Sequence, residues 1–253
     1  MIGFTEAQAM GLLSPLFWPF LRVLAMFMTA PVLSLRSVPA RVKVALAFFV
    51  SVAAQASMPE SPVIPLDGPL ALGVVVQQLL VGATLGFAAR LVFAGIELAG
   101  ELIGLQMGMN FASFFDPISA SQATSVSSFF GTTAAWLFVV INGPLLLTAA
   151  VVHSFNAFPV SGEPLAFLAA VQPQTWGTEL FRLGLWIALP IVAMLLFVNL
   201  VLGVVSRVAS QMNIFAIGFP ITLGVGLIGI TVTLPMMETP FSMALERMLA
   251  YFQ

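Results

Sequence analysis

The sequence predicts an all-α integral membrane protein with about six hydrophobic helices, and two observations lead to this prediction. Of the 253 residues, 60% are apolar and only 7% are charged, whereas charged residues make up about 25% of an ordinary soluble domain. Long intervals without any charge also follow one another, from Asp116 to Glu163, from Arg182 to Arg207 and from Arg207 to Glu238. Such a chain cannot cover itself with polar surface in water, so lipid or other protein must surround its helices.

Each apolar segment is interpreted as a helix rather than a strand. A helix satisfies its backbone hydrogen bonds within the segment, and about 20 apolar residues cross the hydrocarbon core. Residues 187–198 are apolar on every face and show no period of two, which argues against a transmembrane barrel. The six candidate helices are residues 12–33, 42–58, 70–95, 129–152, 183–205 and 214–237.

Charge and composition also restrict topology and chemistry. Arg36, Arg41 and Lys43 follow the first segment, so the positive-inside rule predicts a cytoplasmic 35–43 loop and an external N-terminus. The chain has no cysteine and one histidine, so we expect no disulfide, no zinc site and no other cofactor. A net charge of −2 provides no basic field for nucleic acid.

The motifs that suggest catalysis fail on context. Gly224, Gly226 and Gly229 match the dinucleotide-binding spacing, but they lie inside an apolar helix with no preceding strand. We interpret them as small residues that let helices approach. His153 is the only histidine and is interpreted as an interfacial residue. The sequence therefore predicts that the protein is not an enzyme.

Arg22 is an intramembrane charge in the middle of the first apolar segment. Placing such a charge in lipid costs several kcal/mol, about 2.5–3.5 on insertion scales, so it normally faces protein or water. Snorkelling to the lipid headgroups is the alternative. Because the position is central, we expect Arg22 to face a partner subunit or a pore.

Small and charged residues between positions 82 and 108 share one face if the segment is a single helix. Glycine weakens a helix by about 1 kcal/mol relative to alanine but lets backbones touch, so this face predicts a helix-packing seam and a subunit interface. A helix end at Gly95 or Gly100, or a proton or metal site at the two glutamates, is the alternative. Gly95 falls on the opposite face. The seam comprises Gly82, Gly86, Arg90, Glu97, Gly100, Glu101, Gly104 and Gly108.

Three aromatic residues directly follow this seam, before a helix stop at Asp116-Pro117 and a polar run at 119–128. They are too apolar for a solvated loop, so they either pack in a core or obstruct a passage. We predict that they form a pore plug, because hydrophobic constrictions close by dewetting. These residues are Phe111, Phe114 and Phe115.

Sequence blocks in one order along most of the chain carry a family resemblance. They include Phe17-Trp-Pro-Phe-Leu-Arg22, Gln77-Gln-Leu-Leu-Val-Gly82, Gly100-Glu-Leu-Ile-Gly-Leu-Gln-Met-Gly108, Asn199-Leu-Val-Leu-Gly203 and Gln211-Met-Asn-Ile-Phe-Ala-Ile-Gly-Phe-Pro220. This series resembles the FliR family of flagellar biosynthesis proteins, which are export-gate components of type III secretion. The match is loose only between residues 154 and 177.

The resemblance implies a subunit of a closed flagellar gate through which unfolded proteins cross the bacterial inner membrane at the flagellar basal body. It implies FliP-like and FliQ-like membrane subunits, other export components, unfolded substrates and lipid as partners. Residues 1–182, with the 108–128 plug loop, would be FliP-like, and residues 183–253 would be a FliQ-like hairpin and tail. Phe111 and Phe114 match the family's closing loop. A stand-alone small-solute or ion transporter is the alternative, although repeated halves are missing.

Overall fold

Every regular element that the structure describes is helical. The computed structural model describes residues 6–55, 64, 68–109, 124–208 and 214–253, and each regular element within these ranges is a helix. This confirms the predicted all-α fold. The α-helices are α1 (Glu6–Thr29), α2 (Ala40–Ala54), α3 (Ala71–Gln106), α4 (Ser125–Val140), α5 (Gly143–Ala157), α6 (Ala166–Val171), α7 (Trp176–Val208), α8 (Ile214–Thr233) and α9 (Glu238–Ala250). Short 3-10 turns at Pro173–Thr175 and Leu234–Met237 lead into α7 and α9.

Helix α3 is one continuous helix of 36 residues. It passes through Gly95 and Gly100, so the helix end considered at these positions does not occur. The helix stops at Gln106, and Gly108 then adopts a positive φ of 82°, a conformation that glycine reaches without steric cost. The condition on which the seam prediction depends, a continuous helix, is therefore met up to Gln106. Gly108 lies in the turn beyond the helix.

The fourth candidate helix, residues 129–152, is wrong as a single helix. The chain breaks between α4 and α5, where Asn142 has a φ of 56°. Asparagine tolerates this left-handed conformation. Pro144, two residues later, has no N–H group and cannot donate the hydrogen bond that would continue α4. Hydropathy does not register such a break because the residues on both sides are equally apolar.

The contacts divide the chain into two compact units. The first comprises Met1–Leu91, Phe138–Trp176 and Leu245–Gln253, and the second comprises Val92–Leu137 and Gly177–Ala244. The compactness of a unit and its resemblance to a sister protein are different properties. The predicted division into 1–182 and 183–253 therefore stays a prediction.

In the first unit, α1 packs against α2 and α5. Trp18, Val74 and Phe155 belong to one buried cluster, so α1, the beginning of α3 and the end of α5 share a core. Trp18 Nε1 also donates a hydrogen bond to Ser14 Oγ at 3.0 Å. The indole is therefore buried with its polar atom satisfied.

In the second unit, close contacts at glycines join the helices. A Cβ atom at Gly184 of α7 would lie 2.9 Å from the carbonyl oxygen of Gly95 in α3, and one at Gly229 of α8 would lie 3.3 Å from Ile191 Cγ2 of α7. The rings of Phe93 and Phe241 meet edge to face, with centroids 5.6 Å apart. Small residues thus allow α7 to approach α3 and α8 to approach α7.

Fewer helices are long enough to span a membrane than the six apolar segments suggest. By length and composition, three described helical stretches qualify: Ala71–Gln106, Ala166–Val208 and Ile217–Ala250. The broken pair α4–α5 makes a fourth if it crosses as one span. An apolar segment can therefore have protein rather than lipid as its neighbour, and the predicted side of each loop stays a prediction.

Candidate functional site

The first half of the glycine seam packs against α1 of the same chain. Both Gly82 and Gly86 are buried. A Cβ atom at Gly82 would overlap the carbonyl oxygen of Arg22, and one at Gly86 would lie 2.8 Å from the backbone nitrogen of Ala30. These are backbone atoms that no side-chain rotation can move. The contact therefore requires glycine on α3.

The second half of the seam packs against the beginning of α4. A Cβ atom at Gly100 would lie 2.8 Å from the Cα of Ser127, and one at Gly104 would lie 2.8 Å from Thr124 Oγ1. These contacts support the helix-packing part of the prediction within a single chain. Whether the same face also contacts another subunit stays a prediction.

Gly95, which the helical periodicity placed on a face opposite the seam, is also a packing position. A Cβ atom there would lie 3.1 Å from the carbonyl oxygen of Leu180 and 3.2 Å from Leu183 Cδ2 in α7. The face opposite the seam is therefore also a packing face at Gly95. Helix α3 has neighbours on both sides, so both faces need small residues.

The charged members of the seam have different surroundings. Arg90 is exposed in the first unit. In the second unit, Glu101 Oε2 accepts a hydrogen bond from the backbone nitrogen of Thr124 at 3.2 Å, and the carbonyl oxygen of Glu97 accepts one from Ser127 Oγ at 3.0 Å. A carboxylate beside the first N–H groups of α4 interacts favourably with the positive end of that helix.

The predicted plug residues Phe111, Phe114 and Phe115 lie outside the described residues, but both flanking positions are described. Before the segment, the carbonyl oxygen of Met107 accepts a hydrogen bond from Thr222 Oγ1 of α8 at 3.2 Å. After the segment, Thr124 is held by Glu101 and in turn accepts a hydrogen bond from Ser127 N at 3.1 Å. The described positions on either side, Met107 and Thr124, are therefore hydrogen-bonded to α8 and to the last turns of α3.

Arg22 faces neither a pore nor a partner subunit, contrary to the sequence expectation. It is fully buried inside the first unit. Arg22 Nε donates to Gln78 Oε1 at 2.8 Å, Nη1 donates to the carbonyl oxygen of Ser154 at 2.8 Å, and Nη2 donates to that of Phe158 at 2.8 Å. The guanidinium also lies 3.9 Å above the ring of Phe155. Intrachain acceptors thus replace the water that a buried cation lacks.

Comparison with known proteins identifies the family. A family model described as bacterial export proteins, family 1, matches residues 13–248. The chain belongs to this export family. Flagellar biosynthetic protein FliR of Escherichia coli (strain K12) is 43% identical over 244 residues, which cover 95% of this chain and 92% of the relative. The proteins of the same name from Pectobacterium carotovorum subsp. carotovorum and Bacillus subtilis (strain 168) are 39% and 30% identical, over 96% and 90% of this chain and 92% and 91% of the relatives.

Membership of this export family confirms the resemblance drawn from the sequence blocks. The relatives are named flagellar biosynthetic proteins, and the match covers almost the whole length of each. The chain is therefore a flagellar export apparatus subunit, and its long apolar helices imply a membrane location. Nothing in the family description or in these names denotes an enzyme.

Sequence reasoning missed the acceptors of Arg22 and the neighbouring polar contacts in this export protein. Gln77 Nε2 donates to Ser161 Oγ at 2.8 Å, and Gln77 Oε1 accepts from Ser161 N at 2.9 Å. Together with Gln78 and Ser154, these residues hold the 154–161 region, where the family match was loose. Two adjacent glutamines inside an apolar helix were the available signal, because buried amides need hydrogen-bond partners.

The glycine motif in α8 and His153 are the remaining candidate motifs. Gly224, Gly226 and Gly229 lie within α8, as predicted, and Gly226 packs against Met107. His153 is exposed on α5. Within the described ranges, no group of three or more histidine, cysteine, aspartate or glutamate residues could hold a metal ion. The glycines and hydrogen bonds along α3 are suited to close packing of α3 against its neighbouring helices.

Proposed function

We propose that this chain is a subunit of a closed protein export gate in the bacterial inner membrane at the flagellar basal body. It would assemble with FliP-like and FliQ-like membrane subunits and other export components. Unfolded flagellar proteins would pass through the assembled gate. The chain would contribute packing surfaces and part of the closure, with no cofactor and no chemical step of its own.

One observation carries the proposal that the chain works in a complex. Large apolar side chains of α7 are exposed from Phe181, at 59%, to Val208, at 85%. At 1.5 Å per residue this face extends for about 40 Å, whereas the hydrocarbon core is about 30 Å thick. An average helix tilt of about 20° shortens the span by only a few Å. Lipid alone would leave part of this face uncovered. This supports the proposal that apolar surfaces of neighbouring subunits cover the rest.

The hydrogen-bonded positions Met107 and Thr124, before and after residues 110–123, support a plug in the proposed gate. A passage wide enough for an unfolded chain leaks ions unless apolar groups fill it. Phe111, Phe114 and Phe115 are apolar enough for this role, and the anchored positions Met107 and Thr124 would hold the segment in place.

Purification tests the complex. When the chain carries an affinity tag and is expressed with its candidate sister subunits, we expect all of them to elute together in mild detergent. The mass of the intact particle should fit a fixed stoichiometry. A chain that purifies alone and transports a small solute after reconstitution would contradict the proposal and favour a transporter.

Ion leakage tests the plug. Replacing Phe111 and Phe114 with alanine should leave the yield of the complex unchanged and increase ion conductance across the membrane, because a shortened plug no longer fills the passage. Truncating a core phenylalanine instead costs about 3–5 kcal/mol and lowers the yield. Normal yield without leakage, or loss of yield, would contradict the plug.

A further inference from the structure

Helix α2 exposes most of its large apolar side chains, which are Val42, Val44, Leu46, Phe48, Phe49 and Val52, and apart from Lys43 it buries only small residues. The residues that it buries are Lys43, Ala47, Ser51 and Ala54, and α2 packs against α1. A helix on a water-soluble protein buries its large apolar residues instead. Small residues at a helix contact, with large ones on the outside, are typical of helices whose outer neighbour is lipid.

The outward face begins with cations and has no acidic residue near it in the sequence. Arg36 and Arg41 are exposed, whereas Lys43 is buried and its Nζ donates to the carbonyl oxygen of Leu35 at 3.4 Å. No aspartate or glutamate occurs between Glu6 and Glu60. The exposed end of α2 therefore carries positive charge that the neighbouring sequence does not neutralise.

Arg41 and large apolar residues share one face of α2, and Arg36 lies four residues before the helix begins. Arg41 precedes Phe48, Phe49 and Val52 by seven, eight and eleven residues, and these spacings place all four on the same side of a helix. Phe49 is 67% exposed. The face thus combines a cationic end with an apolar remainder, which matches the headgroup and the acyl chain of an anionic phospholipid.

The length of α2 fits one leaflet better than a full crossing. Its 15 residues extend for about 22 Å, less than the hydrocarbon thickness of about 30 Å. An arginine at the beginning of such a helix reaches the headgroups while its aliphatic stem lies along the apolar face.

We propose that the outward face of α2, with Arg36 and Arg41 at its cationic end, is a binding surface for anionic phospholipid. The acyl chains contact Phe48, Phe49 and Val52, and the phosphate lies at Arg36 and Arg41. The surface requires only that the chain lies in a membrane and does not depend on the gate proposed above.

Fluorescence quenching in lipid nanodiscs tests this surface. The chain has no cysteine, so Phe49→Cys attaches a fluorophore at one position of the full-length protein, copurified with its sister subunits. Glu163→Cys, exposed in the loop between α5 and α6, is the control. The discs contain phosphatidylcholine and an increasing fraction of acyl-chain spin-labelled lipid, either phosphatidylglycerol or phosphatidylcholine.

We expect quenching at position 49 but not at position 163, with phosphatidylglycerol effective at a lower fraction than phosphatidylcholine. Replacing Arg36 and Arg41 with glutamine should weaken the preference for phosphatidylglycerol by roughly fivefold for each cation removed. Equal quenching by the two lipids, unchanged in the double variant, would overturn the proposal. Absence of quenching at position 49, with a cross-link from it to a copurified subunit, would overturn it in favour of a protein partner. Repeating the titration on the chain without subunits keeps this result independent of gate assembly.

Discussion

Helices α3 and α7 have similar composition and different neighbours. Both belong to stretches that are long and apolar enough to cross a membrane. In α3, the chain itself buries 56% of the most apolar 18 residues, whereas in the stretch that contains α7 it buries only 22% of them. In α3, glycines lie against backbone atoms of other helices, as at Gly82 and Gly100. In α7, no described atom beyond the backbone of the helix itself lies within 4 Å of the position where Gly203 lacks a Cβ.

The difference shows that the neighbour of a helix is set by its side-chain volumes as well as by its hydropathy. Small residues along α3 let α1, α4 and α7 approach closely, so the chain itself covers this helix. The outward face of α7 carries large side chains such as Trp186 and Phe197, which are 70% and 67% exposed. Lipid or another subunit is needed to cover this face. Four pairs of substitutions test this contrast.

The largest effect is expected from Arg22→Met, because Arg22 fixes α1 to α3 and α5. The substitution leaves Gln78 Oε1 and the carbonyl oxygen of Phe158 without the Arg22 donor, whereas the carbonyl oxygen of Ser154 still accepts from the backbone nitrogen of Phe158. Each buried unsatisfied group costs about 1–3 kcal/mol, and the contacts of the guanidinium with Ser154 and Phe155 are lost as well. The free energy of unfolding should fall by about 3–5 kcal/mol, measured by thermal unfolding in detergent. Arg90→Met, at an exposed position of α3, is the control and should change it by about 0.5 kcal/mol at most. Equal stability of the two variants would contradict the role of Arg22.

The next effect compares one added methyl group on each helix. Gly82→Ala places a Cβ atom against the Arg22 backbone, so α1 must move, and overpacking costs about 1–3 kcal/mol. Gly203→Ala adds the same group in open space and should stabilise the folded chain by up to about 1 kcal/mol. Protease resistance of the membrane-inserted chain measures both. A loss of resistance in Gly203→Ala alone would reverse the proposed contrast. Gly95 cannot serve as the control, because it packs against α7.

A phenylalanine pair separates folding from assembly. Phe197→Ala, on the exposed face of α7, should leave the folded chain unchanged while weakening its association with sister subunits by about 1–2 kcal/mol. Phe155→Ala, fully packed in the first unit, should destabilise the chain itself by about 3–5 kcal/mol. Copurified subunit per folded chain is the measurement. Unchanged copurification with Phe197→Ala would leave lipid as the neighbour at this position.

The smallest effect is expected at the end of α3. Glu101→Gln removes the negative charge next to the first N–H groups of α4 and should cost about 0.3–1 kcal/mol. Glu246→Gln, on the exposed side of α9, is the matched control. A shift in the thermal unfolding midpoint that appears only in Glu101→Gln supports the capping role, and a larger shift in Glu246→Gln would contradict it.

The sequence by itself determined the helical membrane class, the family and the positions of four glycines on one face of α3. Each of these three conclusions depends either on neighbouring residues or on a sum over the whole chain. Composition sums over all residues, and the positions of Gly82, Gly86, Gly100 and Gly104 on one face follow from helical periodicity alone. The interpretation of Gly224, Gly226 and Gly229 as residues inside a helix followed in the same way, because the residues around them are apolar.

Only the tertiary structure decided which helices meet. The acceptors of Arg22 lie 56 to 136 residues away in the sequence, and no periodicity connects such distant positions. The break at Asn142, the burial of Gly95 and the outward face of α2 also depend on the packing of several helices together. The physical reason is that lipid and protein interior are equally apolar. Hydropathy therefore identifies residues that leave water, and side-chain shape in three dimensions selects their neighbours.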